Sequence, residues 1–149
     1  MALAVGIEPV RDVAALATLW RALEAEAGPI PPFRAWTWVG CLAEERFTDP
    51  WLIRAEADGR TIGLALFNRS RRRLCLAESG DPVLDAPFVE HNGPLLVADA
   101  GPEVVAALMH AAWTTGARRL VLSGVEEGLA AAAGGVALRR QVRPAPFVA

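Results

Sequence analysis

The sequence contains no lysine, no tyrosine and only two cysteines, and each scarcity narrows the class of protein. Cys41 and Cys75 are too few for a disulfide framework and lack the spacing of a zinc motif, so we expect a reducing, cytoplasmic location. All fifteen basic residues are arginine, a bias typical of a GC-rich bacterial genome. Since the formal net charge is −2, the chain lacks the positive footprint of a protein that binds nucleic acid.

Long apolar runs are also missing from the sequence. None approaches the ~20 residues that a membrane span requires, and the apolar start at residues 1–5 lacks the positive charge of a signal peptide. There is no Walker-type loop, no GxGxxG and no metal-ligand spacing, so no metal is expected. The chain has instead a hydrophobic fraction of 53% in 149 residues, which favours one well-packed domain with an apolar surface that a partner covers.

The hydrophobic periodicity predicts a single α/β (α+β) domain over residues 1–149, with a strand–helix–strand crossover near its C-terminal end. Asp12 is a predicted N-cap, Pro102 suits a first helical turn, and Asp58-Gly59 is a hairpin signal. The predicted helices follow Asp12 up to Gly28 and then cover residues 33–47, 102–113 and 126–133. The predicted strands are 3–7, the two arms of the hairpin around Asp58-Gly59, 72–79, 93–97, 118–125 and 136–142.

Three stretches of the sequence carry a resemblance to a known superfamily. Residues 19–42 (LWRALEAEAGPIPPFRAWTWVGCL) place a Pro-Phe turn between two tryptophan-bearing helices, residues 58–80 form a hairpin, and residues 90–97 (EHNGPLLV) lead into a later strand. With the ending RPAPFVA and the element order, they resemble the GNAT acyltransferase superfamily. The closest likeness is to the N-terminal half of the two-half bacterial GNAT-like proteins associated with cellulose biosynthesis.

This resemblance implies a fold and an activity. The fold is a mixed, largely antiparallel central sheet flanked by about four helices. The activity is acyl transfer from acetyl-CoA or another acyl-CoA to an amine or hydroxyl acceptor. In the two-half relatives the cofactor normally lies in the second half, and the ending RPAPFVA resembles the seam between the halves.

The resemblance places a phosphate-binding loop at residues 98–103, and its candidate cofactor-binding residues are Leu96, Val97, Asp99, Ala100 and Gly101. GNAT enzymes usually open this loop with Arg or Gln and follow it with glycines, whose backbone N–H groups hold the CoA pyrophosphate. Here no Arg or Gln opens the loop, and the proline that follows Gly101 lacks an N–H group. Asp99 and the next carboxylate, Glu103, would repel a pyrophosphate. We therefore expect a helix start that the protein caps with its own carboxylates.

Glu90 and His91 are the candidate catalytic residues, because the resemblance places them just before the strand that runs beside the thioester. A histidine there could act as a general base, although His-Asn-Gly-Pro is also ordinary turn chemistry. Trp36, Trp38 and Asn92 are candidates for a substrate or partner surface. The tryptophans also suit a core or interface, since aromatic side chains supply large contact areas.

The only basic cluster in the sequence is formed by Arg69, Arg71, Arg72 and Arg73. Such a cluster could bind phosphate or nucleic acid, but no aromatic residue is interleaved with it for base stacking. The favoured interpretation is a solvated hairpin tip. Asp81 and Asp85 flank prolines downstream of the tip and are expected to stabilise turns.

Three functions remain open at this point. The first is a GNAT-like domain that is not catalytic alone and pairs with a second GNAT-like unit, or with its own copy, to shape an acceptor site. The second is a working acyl-CoA-dependent N- or O-acyltransferase. The third is an interaction module that keeps the fold and binds no ligand.

Overall fold

The computed structural model describes residues 2–86 and 89–134, which contain four α-helices and one mostly antiparallel sheet of six strands. The mixed α/β class predicted from the sequence is confirmed. The strands are β1 (Leu3–Pro9), β2 (Pro50–Ala57), β3 (Arg60–Ser70), β4 (Arg73–Leu76), β5 (Leu95–Leu96) and β6 (Arg119–Val121). The helices are α1 (Val13–Ala27), α2 (Trp36–Glu45), α3 (Pro102–Trp113) and α4 (Glu127–Ala132). The predicted strand 136–142 and the ending 143–149 lie outside the described residues.

The first helix begins and ends at the residues that the sequence indicates. Asp12 Oδ1 accepts a hydrogen bond from the Ala15 N–H at 3.0 Å, which caps α1, and Gly28 ends it with φ of 72°. The apolar face of α1 buries Leu16, Trp20 and Leu23. The second helix was predicted from residue 33 but begins at Trp36, because the prolines before it direct the chain into a short 3-10 turn, Pro32–Arg34.

The central hairpin also follows its sequence signal. Asp58 and Gly59 both have positive φ, 50° and 79°, as the tight turn between β2 and β3 requires. β2 pairs antiparallel with β1 on one side and β3 on the other. Residues 62–68 of β3 are all buried, and β3 is the central strand of the sheet.

A single strand, β3, pairs with both β4 and β5. Residues Phe67–Ser70 of β3 face β4, and Gly63 and Leu64 of the same strand face β5. Both pairings are antiparallel, so β4 and β5 lie one after the other along the same side of β3. The chain leaves the sheet between them. We call residues 77–94, which lie between the two strands, the insert. The strand predicted at residues 93–97 is correspondingly short, because only Leu95–Leu96 are paired.

Helix α3 carries the chain from β5 to β6, which lies parallel to β4, so the predicted crossover is confirmed. Gly63 on β3 allows α3 to pack closely, since a Cβ there would stand 3.1 Å from a Val104 methyl group and 3.2 Å from a Leu108 methyl group. The buried face of α3 consists of Val104, Leu108, Met109, Ala111 and Ala112. Over residues 2–86 and 89–134, the helices are all too short or too polar to cross a membrane.

Candidate functional site

A depression of about 330 Å³ lies between the β2–β3 turn and the start of α3. It includes four of the five predicted cofactor-binding residues, Val97, Asp99, Ala100 and Gly101, whereas Leu96 lies half-buried in β5 outside its lining. The remaining lining residues are Ala57, Asp58, Arg60, Ile62, Glu103 and Val104. The predicted residues therefore do come together, at the place where a helix N-terminus would face a ligand.

The start of α3 is already occupied by a carboxylate of the protein itself. Gly101 is the N-cap residue, and the Glu103 carboxylate folds back over it, so a Cβ added at residue 101 would overlap the Glu103 oxygens. A negative charge at a helix N-terminus is stabilising because it meets the partial positive charge of the unpaired N–H groups. Glu103 thus takes the place that an anionic ligand would need.

The backbone donors of this loop are largely used. The Ala100 N–H donates to the Val97 carbonyl oxygen at 3.1 Å, and the Val104 N–H donates to the Gly101 carbonyl oxygen at 3.1 Å. Pro102, the first residue of α3, has no N–H group. A loop that holds pyrophosphate needs several consecutive free N–H groups. Here the series is interrupted at Ala100, Pro102 and Val104.

The charges around the depression also disfavour a pyrophosphate. Three carboxylates, Asp58, Asp99 and Glu103, line it together with one guanidinium, Arg60. Arg60 is engaged by Glu26, whose Oε2 accepts from Nε at 3.0 Å and from a second guanidinium nitrogen. The hydrogen bond and charge of Glu26 raise the pKa of Arg60, with a smaller contribution from Asp99. The residues present therefore do not fit the pyrophosphate of CoA.

The second notable region is the contact of the insert with the ends of β4 and β6. The buried Asn92 amide donates from Nδ2 to the Leu76 carbonyl oxygen at 2.9 Å and to the Ser123 carbonyl oxygen at 2.9 Å. The Asn92 backbone N–H donates to the Gly124 carbonyl oxygen at 3.0 Å. The last residue of β4 and the two residues that follow Leu122 are thus bonded to the insert through their carbonyl groups.

Asn92, a candidate for a substrate or partner surface, lies inside the protein. The side chain is 1% exposed, because its amide is needed to satisfy two carbonyl groups inside the protein. The neighbouring candidates, Glu90 and His91, are exposed. His91 has a left-handed φ of 52°, which agrees with the turn interpretation of His-Asn-Gly-Pro.

The two tryptophans separate into different roles. Trp36 is buried and its ring centroid lies 6.4 Å from that of Trp20, so it packs within the core. Trp38 is half-buried and packs edge-on against Phe33, with 5.1 Å between the ring centroids. The Trp38 Nε1 atom is buried without a hydrogen-bond partner among the described residues. The Phe33–Trp38 pair thus remains as a partly exposed aromatic surface.

Arg34 is a linking residue that the sequence did not reveal. Its Nε donates to the His91 carbonyl oxygen at 2.8 Å, which joins the α1–α2 connection to the insert. Burial lowers the pKa of Arg34, while the charge of Glu126 acts in the opposite direction. No sequence signal identifies it, because a single arginine after a Pro-Phe turn looks like any solvated residue.

Among the residues that the structure describes, no group of three or more His, Cys, Asp or Glu side chains could hold a metal ion. Comparison with known proteins gives no match to a family model, to a curated protein or to a solved structure. The resemblance to the GNAT superfamily therefore rests on the residues and the element order of this chain alone.

Proposed function

We propose that this chain is a GNAT-like domain that does not transfer acyl groups alone and acts by pairing with a second GNAT-like unit, either its own copy or a separate chain. The observation that carries the proposal is the start of α3. The Glu103 carboxylate lies over Gly101, at the position where the resemblance would place the CoA pyrophosphate. Two charges of the same sign 4 Å apart repel by about 1 kcal/mol even in water, and a pyrophosphate here would meet three carboxylates.

The insert supports the same conclusion from a different part of the fold. In the GNAT superfamily the segment at Glu90 and His91 precedes the strand beside the thioester. Here the adjacent residue, Asn92, donates to the end of β4 at Leu76 and to Ser123 after β6. These two carbonyl groups are thus already bonded within the protein, which supports a structural role for the segment.

The pairing part of the proposal rests on composition and on one aromatic surface. More than half of the residues are hydrophobic, and the half-buried Phe33–Trp38 pair lies at the start of α2 and includes Trp38, a candidate for a substrate or partner surface. Partly exposed aromatic side chains are favoured contact residues in protein interfaces. A second unit that covers this pair would complete the site.

A calorimetric titration of acetyl-CoA into the full chain tests the first half of the proposal. We expect no saturable heat at micromolar concentrations. The combined variant Asp99→Gln, Pro102→Gly and Glu103→Gln, which removes two carboxylates and restores an N–H group, is expected to gain affinity. Glu44→Gln, which removes an exposed carboxylate from α2 outside the depression, is the control and should gain none. Micromolar binding by the unmodified chain would sink the proposal and favour the working acyltransferase.

Sedimentation velocity tests the second half. We expect a concentration-dependent dimer, or a stable complex with a second GNAT-like chain, that Trp38→Ala weakens. The control Trp113→Phe alters a tryptophan whose Nε1 bonds the Ala133 carbonyl oxygen at 2.7 Å, away from the proposed surface. If Trp38→Ala and Trp113→Phe change the association equally, the Phe33–Trp38 pair is not the contact. A chain that stays monomeric and binds no second unit would leave the ligand-free module as the better description.

A further inference from the structure

The arginine-rich tip after β3 does not form a single solvated cluster. Arg69 turns back onto the sheet, where its guanidinium carbon lies 4.5 Å from the centre of the Trp51 ring. Its Nε also lies 3.1 Å from Asp49 Oδ2. The prediction of a solvated tip is therefore wrong for Arg69, because an aromatic face and a carboxylate hold it.

The other tip arginines meet an arginine from a different element. Arg71, in the β3–β4 turn, and Arg73, at the start of β4, line an open depression of about 470 Å³, called the cavity below, together with Arg46, which follows α2. The remaining lining residues are Thr48, Ser70, Ser79, Gly80, Asp81, Pro82 and Leu84. Three guanidinium groups and one carboxylate give this lining a net charge of +2, in a chain whose formal net charge is −2.

Two of these arginines are held in place by the insert. Arg46 donates to the Leu84 carbonyl oxygen at 2.9 Å, and Arg73 donates to the Gly80 carbonyl oxygen at 3.0 Å. The insert is itself fixed, because the Asp85 carboxylate accepts the Gly80 N–H at 2.7 Å as well as two hydrogen bonds from Ser79. Each guanidinium has five N–H groups, so one bond to the protein orients it and leaves donors for a ligand.

Arg71 reaches the cavity from an unusual backbone conformation. Its φ is 59°, in the left-handed region that a residue with a side chain seldom adopts. Glycine would relieve this conformation at no steric cost. The left-handed turn thus places an exposed arginine next to the two arginines that the insert orients.

From these contacts we propose that the cavity binds a phosphate monoester that carries an apolar organic group. A phosphate monoester has a charge of about −1.5 to −2 at pH 7, which matches the +2 of the lining, and guanidinium groups bind phosphate oxygens in pairs. The hydroxyl groups of Ser70 and Thr48 lie in the same lining.

The apolar part of the ligand follows from the size and rim of the cavity. The volume of about 470 Å³ is in the range of sites for small organic molecules and exceeds what inorganic phosphate fills. Pro82 and Leu84 form part of its wall, and Leu84 is 41% exposed. The adjacent Val83 is 79% exposed. Large exposed apolar side chains beside a positively charged cavity favour a ligand that has both an anionic group and an apolar group.

The test is a titration of the full chain with phenyl phosphate at constant ionic strength, followed by calorimetry or by NMR shifts. We expect saturable binding. Phenyl sulfate, which has the same shape and one charge fewer, and inorganic phosphate, which lacks the ring, should both bind more weakly. Leu84→Ser should abolish the advantage of phenyl phosphate over inorganic phosphate.

The matched pair of variants is Arg71→Gln and Arg72→Gln, two exposed neighbours of which only Arg71 lines the cavity. Hydrogen bonds to charged groups contribute about 1.5–3 kcal/mol, so Arg71→Gln should weaken binding about tenfold or more and Arg72→Gln about twofold at most. Arg71→Gly also removes the guanidinium while it relieves the turn, so it should fold well and bind equally weakly. The proposal is overturned if phenyl phosphate gives no saturable response, if phenyl sulfate binds as tightly, or if both glutamine variants lose affinity equally.

Discussion

The backbone of Gly124 lies directly against the carbonyl group of Val89, with no room for a side chain between them. Gly124 also has a positive φ of 64°. Through this contact, the chain that follows β6 meets the insert that follows β4. The close approach and the backbone conformation both require glycine at this position.

Gly124→Ala should therefore be strongly destabilising. The added methyl group would overlap the Val89 carbonyl oxygen and also strain the backbone, so we expect a loss of about 2 kcal/mol or more in the free energy of unfolding, measured by urea denaturation. Gly128→Ala in α4 is the control, since nothing lies within 4 Å of its added methyl group. It should leave stability unchanged or slightly raised, because alanine is the better helix former. Equal losses from the two variants would contradict the contact.

Asn92→Leu should also destabilise the protein, because it leaves the Leu76 and Ser123 carbonyl groups without their amide donor. An unsatisfied buried polar group costs about 1–3 kcal/mol. We expect a total loss of at least about 2 kcal/mol by the same measurement. The adjacent His91→Gly replaces an exposed residue with left-handed φ by one that adopts it freely, so it should be neutral or stabilising. If Asn92→Leu were as harmless as His91→Gly, the two hydrogen bonds would have no structural role.

Glu103→Gln should lower stability by about 0.3–1 kcal/mol, because it removes a negative charge from the N-terminal turn of α3. Raising the salt concentration should reduce the difference. Glu45→Gln is the matched control at the opposite end of a helix, since Glu45 is the last residue of α2. There the substitution should be neutral or slightly stabilising. A loss of the same sign and size at both positions would show that the effect does not arise from the helix dipole.

The two cysteines should differ in reactivity. Cys75 is fully buried, and burial raises the pKa of its thiol from 9.0 to about 11, with Arg73 acting in the opposite direction. Cys41 is exposed. Because the thiolate is the reactive form, a thiol reagent at pH 8 should label Cys41 rapidly and Cys75 only as fast as the protein opens. Cys41→Ser should remove the rapid phase, whereas its persistence would contradict the burial of Cys75.

The same burial predicts how stability depends on alkaline pH. The Cys75 thiol ionises near pH 9 in the unfolded chain and near pH 11 in the folded protein, so the unfolded state releases its proton first. The contribution of the neutral thiol is fully present below about pH 9 and is lost as the pH rises towards 11. Unfolding free energies at pH 8 and pH 10.5 should therefore differ more in the unmodified protein than in Cys75→Ala. An identical change in both proteins would remove Cys75 as the cause.

Elements with local signals were predictable from the sequence. The N-cap Asp12 and Gly28 mark the two ends of α1, and Asp58-Gly59 marks the β2–β3 turn, because cap and turn residues act within a few positions of the chain. The acid-lined start of α3 was predictable for the same reason, since Gly101 and Glu103 lie two residues apart.

The features that sequence reasoning missed depend on contacts between distant parts of the chain. Asn92 meets Ser123, and Arg34 meets His91, only after the sheet has formed. Arg46 joins the tip arginines because α2 ends beside the β3–β4 turn, which no local pattern of residues indicates. The length of β5 likewise depends on a distant strand, because only Leu95 and Leu96 pair with Leu64 and Gly63 of β3.

The division of one sheet position between β4 and β5 has a consequence for how the chain can vary. Both ends of the insert are anchored by the same strand, β3, so they stay close whatever lies between them. The entropy of closing a loop grows only with the logarithm of its length, and each doubling costs about 0.6 kcal/mol. Residues can therefore be added to this excursion at little cost in chain entropy, as long as β3 keeps both pairings and the contacts of Val89 and Asn92 are retained. The sheet provides a fixed frame that holds both ends of the excursion while the length of chain between them varies.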